Sequence, residues 1–383
     1  MKDNELGIYI HIPFCKQKCY YCDFVSFSGQ NEKMGEYIRC LEKELESYDL
    51  STYNVTTIYI GGGTPSYLES KMIVDFLVKL KQKLQGNNTP FEKMEITIEV
   101  NPGTVTMEKL QDYKNVGINR LSIGLQSTND KLLKQIGRIH TYQEFLNTYK
   151  MANKVGFKNI NVDLMLGLPN QSIKDLKNSI EQVNLLQPNH ISVYSLIVEE
   201  GTKLKKLIDE GKLTLLDEEL ERQMYWYVKN KLEQDGYNHY EISNFAKKVK
   251  ESKPNQNCWK QKQYIGLGLA AHSYVSEIRY SNTENLETYL QNIHDGKLEK
   301  NRIIQERQNL EDTQKEFMML GLRMMEGISI CDFKEKFGTN PLYLFRNELN
   351  RLVNEGLIEV DLDRIRLTNR GLDLANLVFE EFI

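Results

Sequence analysis

The chain predicts an α/β fold: an incomplete parallel (β/α)6 barrel followed by a small winged-helix-like α+β unit. Three observations carry this. Apolar strand-like runs alternate with helix-period segments through about the first 200 residues, six strands in all. Residues able to do chemistry stand at the ends of several of those strands. The last part of the chain reads as three helices, a hairpin and a closing helix.

Taken in order, strand-like runs cover 8–11, 56–60, 94–100, 120–126, 159–166 and 190–196, and helical spacing covers 31–47, 71–84, 107–115, 142–155 and 173–186 between them. Such alternation implies parallel pairing through right-handed crossovers. An open doubly wound sheet and a partial barrel both satisfy it. A doubly wound sheet concentrates its site at the switch point, whereas a barrel spreads it over the loops after its strands. The spread here fits the barrel.

From about Gly201 the texture changes. Residues 217–235 read as a long helix, 237–245 as mixed, and the polar, Lys-rich, Pro-containing 247–262 as a loop before 264–273. Helices follow at 313–325, 329–337 and 341–355, then a hairpin of 358–360 and 365–367. The expected division is 1–245 for the barrel, 246–300 for a connecting segment packed on it, and 301–383 for the winged-helix-like unit. Its third helix carries Arg346 and Arg351 against Glu348 and Glu355, so a packing or lid role is favoured over DNA reading.

Composition sets the bounds. Of 383 residues, 27% are charged and 40% hydrophobic, an ordinary globular mixture. Lys and Arg total 49 against 53 acids, a net charge of -4 that gives no support to a nucleic-acid partner. Charges at Lys2, Asp3 and Glu5 argue against a secretory leader, and no run approaches the ~20 apolar residues of a membrane span. Six cysteines, three of them bunched, do not form a secreted disulfide framework. The expectation is a cytoplasmic protein whose bunched cysteines stay reduced for metal, without a membrane span, though peripheral membrane contact stays open.

The bunched cysteines are Cys15, Cys19 and Cys22, in C-x3-C-x2-C spacing directly after the first strand. A disulfide uses two cysteines, and structural zinc takes four ligands, usually in two pairs. Cys40, Cys258 and Cys331 are isolated in sequence and supply no second pair. Three thiolates suit a [4Fe–4S] cluster that leaves one iron open to a small ligand. The Gly61-Gly62-Gly63-Thr64-Pro65 turn follows the second strand. It lacks the Gly-Lys-Ser/Thr of a P-loop and the third spaced glycine of a dinucleotide fingerprint. Consecutive glycines do let backbone N–H groups cradle an anion. Glu99, Gln126 and Asp163 end later strands, and taken singly each also reads as a surface or capping group.

Cys15-x3-Cys19-x-Tyr21-Cys22 resembles the signature of the radical S-adenosylmethionine (SAM) superfamily, with an aromatic residue before the third cysteine. The resemblance implies that the open iron binds the amino and carboxylate groups of SAM, whose reductive cleavage gives methionine and a 5′-deoxyadenosyl radical. It also implies that Gly62, Gly63 and Thr64 hold the amino-acid end of SAM. The segments 120–127, 136–140 and 163–169 are similar to those of the oxygen-independent coproporphyrinogen III oxidase family. That resemblance spans roughly the whole chain and implies SAM contacts from Tyr9, Tyr21, Glu99, Gln126, Arg138 and Asp163.

Within that family, the oxidase has a longer segment before the cysteine loop and a fourth cysteine two residues after the third. Here fourteen residues precede Cys15, and Phe24 stands at that position. Both features resemble the family's heme-carrying members, which pass heme to acceptor proteins. The resemblance thus implies heme as cargo and a reductant such as flavodoxin or ferredoxin. The alternatives are the oxidase reaction itself, or radical SAM chemistry on another substrate. The carriers' His-Asn-x-x-Tyr-Trp motif reads Pro254-Asn255-Gln256-Asn257-Cys258-Trp259 here. Pro254 offers no axial ligand, so Cys258, His239 and His272 are the candidate heme ligands.

Overall fold

A computed structural model describes residues 4–383; Lys2 and Asp3, used above against a leader, lie outside the described residues. Six parallel strands form the centre of one sheet: β1 (Glu5–Ile12), β2 (Asn54–Gly62), β3 (Glu95–Val100), β4 (Arg120–Gln126), β5 (Asn159–Leu166) and β6 (His190–Ser195). The helices between them are α1 (Met34–Ser47), α2 (Ser70–Lys83), α3 (Met107–Val116), α4 (Tyr142–Val155) and α5 (Ile173–Leu186). Their starts are written locally: Thr141 with Glu144, and Ser172 with Asp175, form capping boxes that satisfy first-turn N–H groups of α4 and α5.

The strands alternate apolar and polar residues, although parallel sheets covered on both faces usually read as continuous apolar runs. Ile8, Ile10, Ile58, Ile98, Ile123, Val162 and Ile191 point to the helices and join the main core. The opposite face carries Tyr9, Tyr59, Glu99, Ser122, Asp163 and Ser192. That inner face lines a polar lumen. The sheet also curls. With strands ~4.8 Å apart, β2 and β6 on a flat sheet would stand about 19 Å from each other. Yet Tyr59 on β2 feels the charges of Asp163 on β5 and Tyr194 on β6. The strand order has free edges, so the barrel stays open.

Six further strands join the same sheet. At the β6 edge lie β7 (Asn238–Glu241) and β8 (Asn244–Ala246), after α6 (Lys203–Asp209) and α7 (Glu218–Gln234). At the β1 edge lie β9 (Gln263–Leu267), parallel to β1, then antiparallel β10 (His272–Val275), β11 (Ile278–Asn282) and β12 (Arg302–Arg307).

The stretch expected as a loop over 247–262 contains a helix, α8 (Lys253–Trp259). Its proline is the reason it was misread. Pro254 sits in the first turn, where a missing N–H leaves nothing unsatisfied, and Ser252 caps the helix by accepting from the Asn255 N–H.

The C-terminal unit has its own core, including Met318, Ile330, Phe333, Phe345, Leu349, Ile365 and Phe379. It comprises α9 (Leu310–Gly321), α10 (Ile330–Phe337) and α11 (Arg346–Asn354), with the hairpin β13 (Ile358–Val360) and β14 (Arg364–Leu367). The helix expected over 341–355 is broken at Phe345, which leaves helical geometry (φ -108°, ψ 35°). Its ring goes into the core, 5.5 Å from the Phe382 ring.

Candidate cluster and cofactor site at the strand ends

The cysteine loop leaves the carboxyl end of β1 and is closed at its base by two-residue strands, Phe14–Cys15 beside Phe27–Ser28. Cys15 is buried, and Cys19 and Cys22 are half-buried. The loop is docked by three bonds to two neighbouring segments. The Tyr20 N–H donates to the Ile136 carbonyl at 2.9 Å, the Leu204 N–H at the start of α6 donates to the Tyr20 carbonyl at 2.7 Å, and Gln17 Nε2 donates to the Gly137 carbonyl. Tyr21 packs among Leu132, Ile136, Leu168, Leu196 and Leu204.

Two of the thiols are joined by a polar bridge. Arg138 donates from Nη1 to Cys19 Sγ at 3.5 Å and from Nη2 to Asn101 Oδ1 at 2.9 Å. Asn101 Nδ2 donates to Thr64 Oγ1 at 2.8 Å, and Thr64 donates on to Cys15 Sγ at 3.5 Å. Asn101 was missed; it directly follows β3, level with the glycine turn.

Burial pushes the Cys15 thiol above its ordinary range, and burial with the charge of Cys19 pushes Cys22 up to about 11. Such thiols ionise when iron cations supply the missing positive charge. Among the described residues, no three His, Cys, Asp or Glu side chains converge on one point as ligands of a single ion would. A cluster takes one thiolate on each iron that the protein ligates, and three thiols in one loop match three such irons with the fourth open. The donor set therefore fits a [4Fe–4S] group.

The glycine turn is pressed against this loop. Gly62 has φ +109°, and a Cβ there would lie 2.6 Å from the His11 ring; a Cβ on Gly63 would lie 2.9 Å from two carbonyls and 3.0 Å from Cys15 Sγ. The expectation that its N–H groups cradle an anion is not met. The Gly62 N–H donates to Glu99 Oε2, the Gly63 N–H to the Ile12 carbonyl and the Thr64 N–H to the Phe14 carbonyl. Those donors fasten the turn to the cysteine loop and leave none for a ligand.

Glu99 and Asp163 face the same lumen. Burial pushes Glu99 up to about 7, opposed by the Tyr59 hydroxyl. Asp163 is also raised by burial, while accepting from Asn161 Nδ2 at 2.6 Å and Ser122 Oγ at 3.1 Å. Gln126 ends β4 at a bulge with φ +70°, the kind of strain a non-glycine residue holds at a functional position. The Tyr9 hydroxyl is committed to His11 Nδ1 at 3.0 Å, and His11 Nε2 meets the Val25 carbonyl at 2.9 Å, tying β1 to the far end of the cysteine loop. Tyr59, His11, Ser122 and Asn161 were missed. Inward alternation along their strands would have found them.

The three heme candidates are not brought together. His239 is buried and stacked on Phe245 with centroids 4.4 Å apart, so its ring belongs to the core. His272 is exposed at the start of β10, near the carboxyl end of β9. Cys258 is exposed on α8, at the opposite end of the barrel.

A partial parallel barrel with its thiol loop after the first strand is the architecture of a radical SAM protein. Residues 9–183 match the model of the Radical SAM superfamily, and 308–374 that of the HemN C-terminal domain. The chain belongs to the HemW family. It is 38% identical to "Heme chaperone HemW" of Bacillus subtilis (strain 168), over 98% of each chain. It is 33% identical to the protein of the same name from Escherichia coli (strain K12), over 100% of this chain and 99% of that one. The solved structure of coproporphyrinogen III oxidase (HemN) from Escherichia coli, 23% identical, shares the fold with a TM-score of 0.85, covering 99% of this chain and 90% of that chain. Among the described residues no helix is long and apolar enough to cross a membrane.

Proposed function

We propose that the chain is a heme chaperone that carries a [4Fe–4S] cluster on Cys15, Cys19 and Cys22, holds SAM at the strand ends, and delivers heme to acceptor proteins. The observation that carries this is the Arg138–Asn101–Thr64 bridge between two cysteines of one loop, set in a chain related end to end to proteins named as heme chaperones. Bound there, the cluster supplies an electron and an open iron for SAM. The protein's own part is to place carboxylates where ribose hydroxyls can donate to them (Glu99, Asp163). Arg138 offsets the negative charge of the thiolates. Phe24, 63% exposed, offers no fourth thiolate beside the loop.

For heme, the reading favours Cys258. It is the candidate on the helix that corresponds to the carriers' motif, and it lies at the surface although burial pushes its thiol up to about 11. Thiolate is an established axial ligand of haem iron. The cytoplasm, an electron-donating partner such as flavodoxin or ferredoxin, and the acceptor proteins belong to the same proposal.

The test is anaerobic. Reconstituted protein should hold about four irons per chain, and heme titration should give a Soret band that shifts in Cys258→Ala. Incubation with SAM, dithionite and coproporphyrinogen III should give no decarboxylated product. Product formation would restore the oxidase reading, and absence of any Soret change would sink the carrier reading.

A further inference from the structure

A line of buried hydrogen bonds runs from Asp163 through the barrel to α8. Asn161 Nδ2 donates to Asp163 Oδ1 at 2.6 Å, and Asn161 Oδ1 lies 2.6 Å from His190 Nδ1. His190 Nε2 lies 2.8 Å from the Tyr240 hydroxyl, which accepts from the Ser252 N–H at 3.3 Å. Ser252 is the residue that caps α8. All four intermediates are buried: Asn161 3%, His190 0%, Tyr240 4% and Ser252 1% exposed.

The carboxylate sets the direction of every bond. Ionised Asp163 only accepts, so Asn161 must turn its amide nitrogen to it and its oxygen to His190. His190 then carries its proton on Nδ1 and accepts on Nε2 from the Tyr240 O–H, leaving the Tyr240 oxygen to accept from Ser252. Burial and the neighbouring Arg120 hold this imidazole well below its ordinary pKa, in keeping with a neutral ring. A second strap runs beside the first: the Lys253 N–H donates to Glu95 Oε1 at 3.3 Å, with Arg120 at 3.7 Å from the same carboxylate. Glu95, Arg120 and His190 are the first residues of their strands, so α8 seats on the amino rim of the barrel, opposite the cysteine loop.

We infer that Asn161, His190 and Tyr240 are positioning residues that couple the SAM end of the barrel to helix α8. This rests on the reading that SAM reaches Asp163. Ser122 and Asn161 already donate to Asp163, and Asn161 is further held by Ser122 and Ser192. A ribose hydroxyl donated to Asp163 adds a bond to this network and so stiffens the Asn161 amide and everything beyond it. The first turn of α8 is then held in place. Coupling of this kind is reciprocal: whatever tightens α8 on its exposed Cys258 side tightens SAM by the same factor.

Amide hydrogen exchange on the full, cluster-reconstituted chain tests this without heme. Saturating SAM should slow exchange across residues 252–259 by about fivefold or more, the low end of ordinary coupling factors. Tyr240→Phe, which keeps the ring but removes both bonds of its hydroxyl, should lose that slowing at saturating SAM. Unchanged exchange at 252–259 in the unsubstituted protein, or slowing retained in Tyr240→Phe, would overturn the inference. Equilibrium dialysis of SAM on the same samples separates the two levels. Bound SAM without slowing defeats the coupling alone, whereas no bound SAM, or full affinity in Asp163→Asn, defeats the SAM reading and the coupling with it. Should Tyr240→Phe not fold, the comparison with and without SAM in the unsubstituted chain still decides.

Discussion

Tyr59 donates its hydroxyl to Glu99 Oε1 at 2.8 Å, across the β2–β3 pair. The bond stabilises the charged carboxylate in a site where burial, even against this bond, still pushes it up to about 7. If the carboxylate is the form that accepts from SAM, affinity is full above that value and falls as the pH drops through it. Equilibrium dialysis of SAM between pH 8 and 6 should show Kd rising toward about tenfold per pH unit below 7. Tyr59→Phe should move the break to higher pH and weaken SAM about tenfold at neutral pH, the worth of one hydrogen bond to a charged group. A flat profile would remove Glu99 from the SAM site.

Asn101→Ala takes the middle out of the bridge between Cys19 and Cys15. It leaves Arg138 Nη2 and Thr64 Oγ1 each short of a partner, at a cost of about 1–3 kcal/mol for a buried group so stranded. The visible absorbance of the reconstituted cluster should decay several-fold faster on exposure to air. Decay at the parent rate would show that the bridge does not support the cluster.

Gly63→Ala sets a methyl 2.9 Å from the Ile12 and Phe14 carbonyls and 3.0 Å from Cys15 Sγ. Backbone atoms on two sides leave no room to yield. Iron content per chain after reconstitution should fall well below half, while the far-ultraviolet circular dichroism stays that of the parent. Gly86→Ala is the control for lowered iron, since nothing lies within 4 Å of that position, although its φ of +90° strains any side chain.

His239→Phe separates core histidine from heme ligand. The ring stacks on Phe245, and its Nδ1 is buried without a partner. Its Nε2 meets the Ile242 carbonyl at 3.2 Å, so the change should cost about 1–3 kcal/mol through the carbonyl left without that partner, and leave the Soret maximum where it was. A Soret shift in His239→Phe equal to that in Cys258→Ala would return His239 to the candidates.

Much of the barrel was legible because each central strand alternates apolar and polar residues and each helix repeats at its own period. β7 to β12 were not, since short strands outside the repeating strand–helix pattern carry little of that signal. Residues 253–259 looked like a loop because a proline among mostly polar residues without an apolar period weighs against a helix unless the proline is known to fall in the first turn. In the site, the cysteine loop stands after β1 as its spacing implied and Glu99 near the end of β3, but Asp163, expected at a strand end, lies in the middle of β5 and reaches the lumen because its side chain alternates inward. Alternation turns Tyr59 and His11 inward, but what they and Asn101 meet is set by register, which puts Asn101 between Arg138 and Thr64 and brings the Tyr59 hydroxyl level with Glu99. The glycine turn shows the opposite failure, where composition suggested free N–H donors that the fold had already engaged.

The cysteine loop leaves the carboxyl end of β1, and α8 rests on the amino ends of β3, β4 and β6. At ~3.3 Å per residue, the eight residues of β1 set those two ends roughly 23 Å apart. The barrel is therefore a partition as much as a scaffold. On the proposed reading, cargo exchanged at α8 with a passing protein would meet that partner's surface at one end of the barrel while the cysteine loop stays docked at the other. Loading and unloading need never unpack the cysteine loop.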